Sequence, residues 1–315
     1  MKKMQKCLIA IFCVAFALVS ATVAYAIVVV PEYPTNLPEM DPSTISPQLS
    51  SVQTFSEAGT VPTAKSAEPA KTKQEIYDRM LNSVDYFDTV TVCFDLKTAA
   101  DDPGITCEID TNLLTGETYE ADTSLNAGAN MVNRDLASIE RYSDGEYVTD
   151  YFNDDKTYRV VHSVEPRLLN EQELPEEQPR AFIGSNDKQP SYIYRADPTN
   201  SVWGSYCLFP QGLTFGFLTD FELWNIDGTE TYLGRECLVL SGQSNGSYER
   251  KTGVSTFTMY VDSQTGILLK LEGLNESGNI AFSMTVNAIS IDGPTTYSIC
   301  SPDMSKYADY TKLDY

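Results

Sequence analysis

Between Thr256 and Ile291 apolar and polar residues alternate with the period of two that a half-buried β-strand requires. Phe257, Met259 and Val261 interleave with Thr256, Thr258 and Tyr260. Ile280, Phe282, Met284 and Val286 interleave with Ala281, Ser283 and Thr285, and Ile267, Leu269 and Leu271 supply the strand between. The turns are written into the residues too. Asp262 to Gly266 offers an Asx-type start and a glycine free to take positive φ, and Asn275 to Gly278 repeats the arrangement. The pattern predicts three consecutive antiparallel strands with one shared apolar face. Whether that face covers a core or a ligand is the question on which function turns.

Upstream the period changes. Thr72 to Val84 predicts a helix: Thr72 and Glu75 form a capping box, and Ile76, Tyr77, Met80, Leu81 and Val84 make one apolar stripe at helical spacing. From Tyr86 the period returns to two, with Val90, Val92, Phe94 and Leu96 on one side. Turn signals then recur at Gly116, Ser143-Asp144-Gly145, Asn153-Asp154-Asp155, Asp227-Gly228, Gly234, Gly242 and Asn245-Gly246, as in a meandering antiparallel sheet. Two segments break the rhythm. Glu165 to Pro179, with Pro166, Pro175 and Pro179 among its glutamates, predicts an exposed loop. Residues 203 to 224 hold both tryptophans with Phe209, Phe215 and Phe217, cut by Pro210, Gly212 and Gly216. That segment is too broken for a long helix and too apolar for an ordinary loop, which leaves two readings, a lid or buried packing.

The first thirty residues carry an address. Lys2, Lys3 and Lys6 precede an apolar run from Leu8, and Ala24-Tyr25-Ala26 fits a signal-peptidase site, so residues 1–26 read as an export signal. The uncharged run continues to Val30, and its 23 residues also satisfy an uncleaved membrane anchor over 8–30. Residues 27–71, with seven prolines among Ser and Thr, make a semi-extended linker. Residues 72–315 then suit one large β domain. The formal charge of −22 argues against nucleic acid and against electrostatic binding to anionic headgroups.

Catalytic motifs are missing. A Ser/His/acid set would rest on His162 alone, and the chain has no GxSxG, Walker loop, HExxH or calcium loop. No metal-ligand spacing and no cofactor motif occurs, and none is expected. Cys93 and Cys107 are equidistant from a turn near Ala100 and could form a cross-strand disulfide. Against this, Cys93 falls on the Thr91 and Asp95 side and Cys107 on the Ile105 and Ile109 side, and small buried thiols account for the cysteines equally well.

The order of features resembles the extracytoplasmic lipoprotein-carrier superfamily, with its LolA-like, LolB-like and RseB-like members. Asp262, Thr265-Gly266, Lys270 and Gly278 stand where that superfamily has a strand ending in aspartate, a T-G turn, a strand with a central lysine and a second turn ending in glycine. Leu233 to Glu236 resembles its upstream strand. The match runs in order through most of 72–290, and its specific part is about sixty residues. It implies an α+β, mainly antiparallel fold: a curved open half-barrel wrapped around the N-terminal helix, with a lid of loops or short helices. It also implies a non-catalytic envelope protein that takes a lipid, an acyl chain or a lipidated peptide. The expected apolar wall is Phe257, Met259, Ile267, Leu269, Leu271, Phe282, Met284 and Val286; the expected lid carries Trp203, Phe209, Phe215, Phe217 and Trp224. A regulatory sensor that binds a membrane protein's extracytoplasmic part is the alternative. One helix stripe looks too narrow to cover so wide a sheet, so a cavity is expected, and a filled space would count against the ligand wall.

Overall fold

The computed structural model describes residues 39–40, 68–126, 128, 132–133, 136–163, 180–184, 190–293 and 303–313. The expected export signal and almost all of the linker, the 165–179 loop and Cys300 lie outside them. The chain divides into Met1–Glu32 and Tyr33–Tyr315, and every described residue belongs to the second unit.

A short strand β1 (Glu39–Met40) precedes helix α1 (Lys73–Leu81). Strands β2 (Thr89–Lys97), β3 (Ile105–Asn112), β4 (Glu117–Ser124), β5 (Ile139–Asp144), β6 (Tyr147–Phe152) and β7 (Thr157–His162) follow as a meander. Then come β8 (Ala181–Gly184), β9 (Pro190–Tyr192) and helix α2 (Gln211–Leu218), followed by β10 (Trp224–Tyr232) and β11 (Arg235–Gln243). Helix α3 (Gly246–Thr252) leads to β12 (Thr256–Asp262), β13 (Leu268–Leu274) and β14 (Ile280–Ile291), and β15 (Thr311–Lys312) ends the described chain.

Twelve strands form one sheet in the order β10-β11-β12-β13-β14-β2-β3-β4-β5-β6-β7-β15. All pairs are antiparallel except β15 with β7. The ends do not meet. The result is the expected curved, open half-barrel, with α1 inside it. β1, β8 and β9 make a separate small sheet.

Helix α1 forms for the reasons written in its sequence. Thr72 Oγ accepts from the Glu75 backbone N–H at 3.2 Å, and the Glu75 carboxylate accepts from the Thr72 N–H at 2.9 Å. The Lys71 N–H, at 2.8 Å, and then the Thr72 N–H hold the exposed Glu75 carboxyl below the usual carboxylate range. The buried face of Ile76, Tyr77, Met80 and Leu81 then enters the concave side.

Register decides what the concave side is made of. One row crosses six strands as Leu240, Met259, Leu271, Met284, Leu96 and Ile105. A second row begins apolar, with Ile289, Val92 and Ile109, and then turns ionic, with Glu120, Arg141, Asp150 and Arg159 on β4 to β7. The face is therefore apolar over β11 to β3 and charged over β4 to β7. One expected alternation shifts as well. An irregularity between Gly273 and Leu274 turns Ile280 outward, 50% exposed, and buries Ala281 instead.

Candidate ligand face and its plug

The eight expected wall residues lie together on β12 to β14 and the turn between, and all are buried. Phe257 and Phe282 are 3% and 4% exposed, and Met259, Ile267, Leu269, Leu271, Met284 and Val286 are fully enclosed. They belong to one continuous apolar cluster with Ile76, Met80 and Val84 of the α1 region and with Leu213, Phe215 and Phe217 of α2. This corrects the expectation of a cavity under the sheet and counts against a ligand wall that stands open. The space is filled, because two helices rather than one cover the face.

The second cover is α2. Seven of its eight residues are buried, and it has no side-chain N-cap, since Pro210 occupies that position. An uncapped, two-glycine helix of this length owes its stability to packing rather than propensity. Phe217 meets Phe257 with ring centroids 4.8 Å apart, and Phe215 stacks on Tyr192 at 4.7 Å. Gly216 is required by a close approach, since a Cβ there would lie 2.3 Å from the Tyr248 ring of α3. Tyr248 also meets Phe217 edge-on at 4.7 Å.

The expected lid residues divide. Phe209, Phe215 and Phe217 sit in or beside α2, and Trp203 opens the short 3-10 turn Trp203–Tyr206 before it. Trp224 does not belong to the lid: it is the first residue of β10, fully buried. Its indole N–H donates to the Leu218 carbonyl at 3.1 Å and so fixes the C-terminal end of α2 to the sheet edge.

The N-terminal end of α2 is held by a polar clasp. Arg180 donates to Gln211 Oε1, and the Arg195 backbone N–H reaches the same oxygen at 2.9 Å. Gln211 returns a bond from Nε2 to the Arg195 carbonyl at 3.1 Å. The Arg195 guanidinium in turn grips buried Asp85, just after α1, with two bonds of 2.9 Å, and Arg180 donates to the Leu81 carbonyl at 2.6 Å. Both guanidinium groups also lie over aromatic rings in or beside α2, Arg180 over Phe215 and Arg195 over Phe209. Burial, with Arg195 as neighbour, pushes Arg180 down to about 10. These five groups come from four distant stretches of chain, so no local pattern marks them.

The T-G turn is structural rather than chemical. The Asp262 carboxylate accepts from the Thr265 N–H and Oγ at 2.8 Å each and pairs with Arg235 of β11. Gly266 at φ +77° leaves room for α1, because a Cβ there would lie 2.6 Å from the Arg79 carbonyl. Arg79 reciprocates by donating to the Ser263 carbonyl at 2.6 Å. Lys270 points away from the wall and lies over the Tyr260 ring.

Cys93 and Cys107 do not form a disulfide. Cys93 stands opposite Glu108 and Cys107 opposite Phe94, one residue out of step, so the two side chains leave opposite faces of the sheet. Burial pushes the Cys93 thiol up to about 12 and the Cys107 thiol well above its ordinary range. His162 ends β7, exposed beside the Tyr147 ring at 4.8 Å. Among the described residues no His, Cys, Asp and Glu groups converge to hold a metal ion. A groove of about 520 Å³ lies on the outer face of β10 to β13, lined by Glu222, Asn225, Gln243, Thr258 and Glu272 among others; its character is polar, unlike that of the wall.

No family model matches the chain, and no curated protein matches it. Solved structures similar to it include an uncharacterized conserved protein from Thermus thermophilus, with 9% identity and a TM-score of 0.38 over 76% of this chain and 97% of that one. MucB is similar at 15% identity and a TM-score of 0.37 over 73% of this chain, which spans 63% of MucB's length; a Pseudomonas aeruginosa complex pairs MucB with MucA. The Mycobacterium tuberculosis lipoprotein LppX is similar at 12% identity and a TM-score of 0.35 over 71% of this chain and 97% of that one. A putative outer membrane lipoprotein-sorting protein domain from Vibrio parahaemolyticus is similar at 10% identity and a TM-score of 0.25 over 74% of this chain and 95% of that one. At such scores the likeness brings neither ligand nor partner to this chain.

Proposed function

We propose that this is a non-catalytic binding protein of the cell envelope, which takes a lipid, an acyl chain or a lipidated peptide on its apolar concave face when the 203–218 segment withdraws. The observation that carries the reading is α2 itself. It lies on the wall with nearly every residue buried, yet it is tied at one end by the Gln211 clasp and at the other by the Trp224 indole rather than by a cap of its own. Such a helix occupies the wall as an apolar ligand would. Met259, Met284 and the ring-lined surround are adaptable enough to accept chains of varied shape.

The same reading takes 1–26 as an export signal, or 8–30 as an anchor, and 27–71 as the tether that leaves the 72–315 domain outside the cytoplasmic membrane. Among the described residues no helix is long and apolar enough to cross a membrane. The test is to purify the protein, denature it, extract it and look for co-purifying lipid by mass spectrometry, with thermal shifts on added fatty acids alongside. Bound lipid and an upward shift support the reading. A lipid-free protein that no acyl chain stabilises would sink the reading, while a membrane protein retained after delipidation would favour a regulatory sensor.

A further inference from the structure

The ionic half of the concave face meets the root of the plug. Buried Glu120 of β4 accepts from Ser201 Oγ at 2.9 Å and from the Val202 and Trp203 N–H groups at 2.8 Å each. Asp122, two residues along the same face and also buried, meets the Trp203 side chain. Asp197 accepts from the Thr199 N–H at 2.9 Å at the start of the same segment.

Among the described residues compensating charge is scarce there. Arg141 of β5 comes within 4.0 Å of Glu120, but it is bound to Asp150 of β6 at 2.6 and 3.1 Å, and Arg159 of β7 shares Asp150 at 2.6 Å. From β3, Cys107 faces Glu120 at 3.8 Å, and Asp154 in the β6–β7 turn adds a further negative charge toward Asp122. Three carboxylates thus lie in or against residues 197–203 with, among the described residues, one shared guanidinium. Neighbouring buried carboxylates do not both ionise without cost.

We infer that Glu120, Asp122 and Asp197 form a proton-dependent latch on the root of the plug, closed when the cluster holds a proton and loosened when it is fully ionised. The inference rests on the reading of 203–218 as a removable plug. The proton belongs chiefly to Asp122, which leaves Glu120 ionised to accept its three donors. Burial, then the Glu120 charge, raises Asp122 to about 7, and burial raises Asp197 to about 6 and Glu120 in the same direction. With the segment released, these groups are solvated and titrate in the ordinary range of about 4. The closed form therefore binds protons more tightly. Its advantage is complete below about pH 4 and is lost as pH rises through the window up to about 7, by about tenfold per pH unit for one linked proton.

Hydrogen exchange on the full chain with no lipid present tests this, read at the amides of 201–208 from about pH 5 to about pH 8 and corrected for intrinsic rates. Protection in the wild type should fall about tenfold per pH unit toward neutrality. Asp122→Asn should be protected at every pH with the slope above about pH 6 gone, leaving only the part that belongs to Asp197, and Glu120→Gln should move the slope to lower pH. A wild-type profile flat in pH overturns the latch without any variant, as does a slope above about pH 6 that survives in Asp122→Asn. Global unfolding followed on the same samples separates local release from loss of the fold. A pH-dependent plug on a protein that binds no acyl chain would sink only the proposed function. Acyl binding with a pH-independent plug would sink only the latch.

Discussion

At the scale of single residues, two glycines with the same backbone angle make opposite demands. Gly266 and Gly278 both stand near φ +75°, but a Cβ on Gly266 meets the Arg79 carbonyl at 2.6 Å, whereas one on Gly278 meets nothing within 4 Å. Left-handed strain costs a non-glycine residue about 1 kcal/mol, and forcing an atom into fixed backbone adds about 1–3 kcal/mol. Gly278→Ala is therefore expected to lower stability by about 1 kcal/mol and Gly266→Ala by about 2–4 kcal/mol in urea unfolding. Equal losses would mean that α1 does not rest on the turn. The Arg195–Asp85 pair behaves differently again, because both partners are buried. Removing one partner strands the other charge, so Arg195→Met is expected to cost about 3–5 kcal/mol. Adding Asp85→Leu to that variant should restore much of the loss, which a double-mutant cycle measures.

At the scale of elements, α2 separates a plug from a core helix. If it is a plug, Gln211→Ala opens the clasp that joins it to Arg180 and Arg195 and raises the population in which the wall is free. Apparent affinity for an acyl chain is the intrinsic affinity reduced by the fraction of binding-competent molecules, so the variant should bind a fluorescent fatty acid more tightly than wild type. Unchanged or weaker binding in a folded variant would argue against a gated wall. The elements also show where sequence reading succeeds. The Thr72–Glu75 box and the alternation through β12 to β14 are local, and local chemistry produces the helix and strands expected of it. The clasp and the ionic row are not legible that way. Glu120, Arg141, Asp150 and Arg159 face one another only because four strands pair in one register, and each alone reads as an ordinary surface charge. Trp224 reads as part of the lid for the opposite reason. Aromatic density from 203 to 224 hides the break after Leu218, where the chain leaves α2 and goes on to the sheet at Trp224.

At the scale of the whole molecule, the charged half of the sheet and the formal charge of −22 both make stability depend on pH, and their signs agree over part of the range. Asp122 and Asp197, raised to about 7 and about 6, favour the folded state when protonated, so their contribution declines as pH rises from about 4 toward 7. Mutual repulsion of excess carboxylates grows over the same interval. Glu75 and Asp102 work in the opposite sense: backbone bonds lower both, and what they contribute is present above the ordinary carboxylate range and lost as pH falls through their folded values. Stability should accordingly peak on the acid side, near about pH 5, and decline in both directions. Salt divides the two causes of the neutral decline. Exposed charges more than about 10 Å apart are largely screened at about 0.1 M salt, whereas a carboxylate enclosed by β4 and Trp203 is screened much less. Urea midpoints at low and high salt should thus differ most at neutral pH. The slope that persists in high salt should be the buried part, and Asp122→Asn should remove most of it. If salt alone abolished the slope, repulsion over the surface would be sufficient cause, and the ionic half of the concave face would have no part in it.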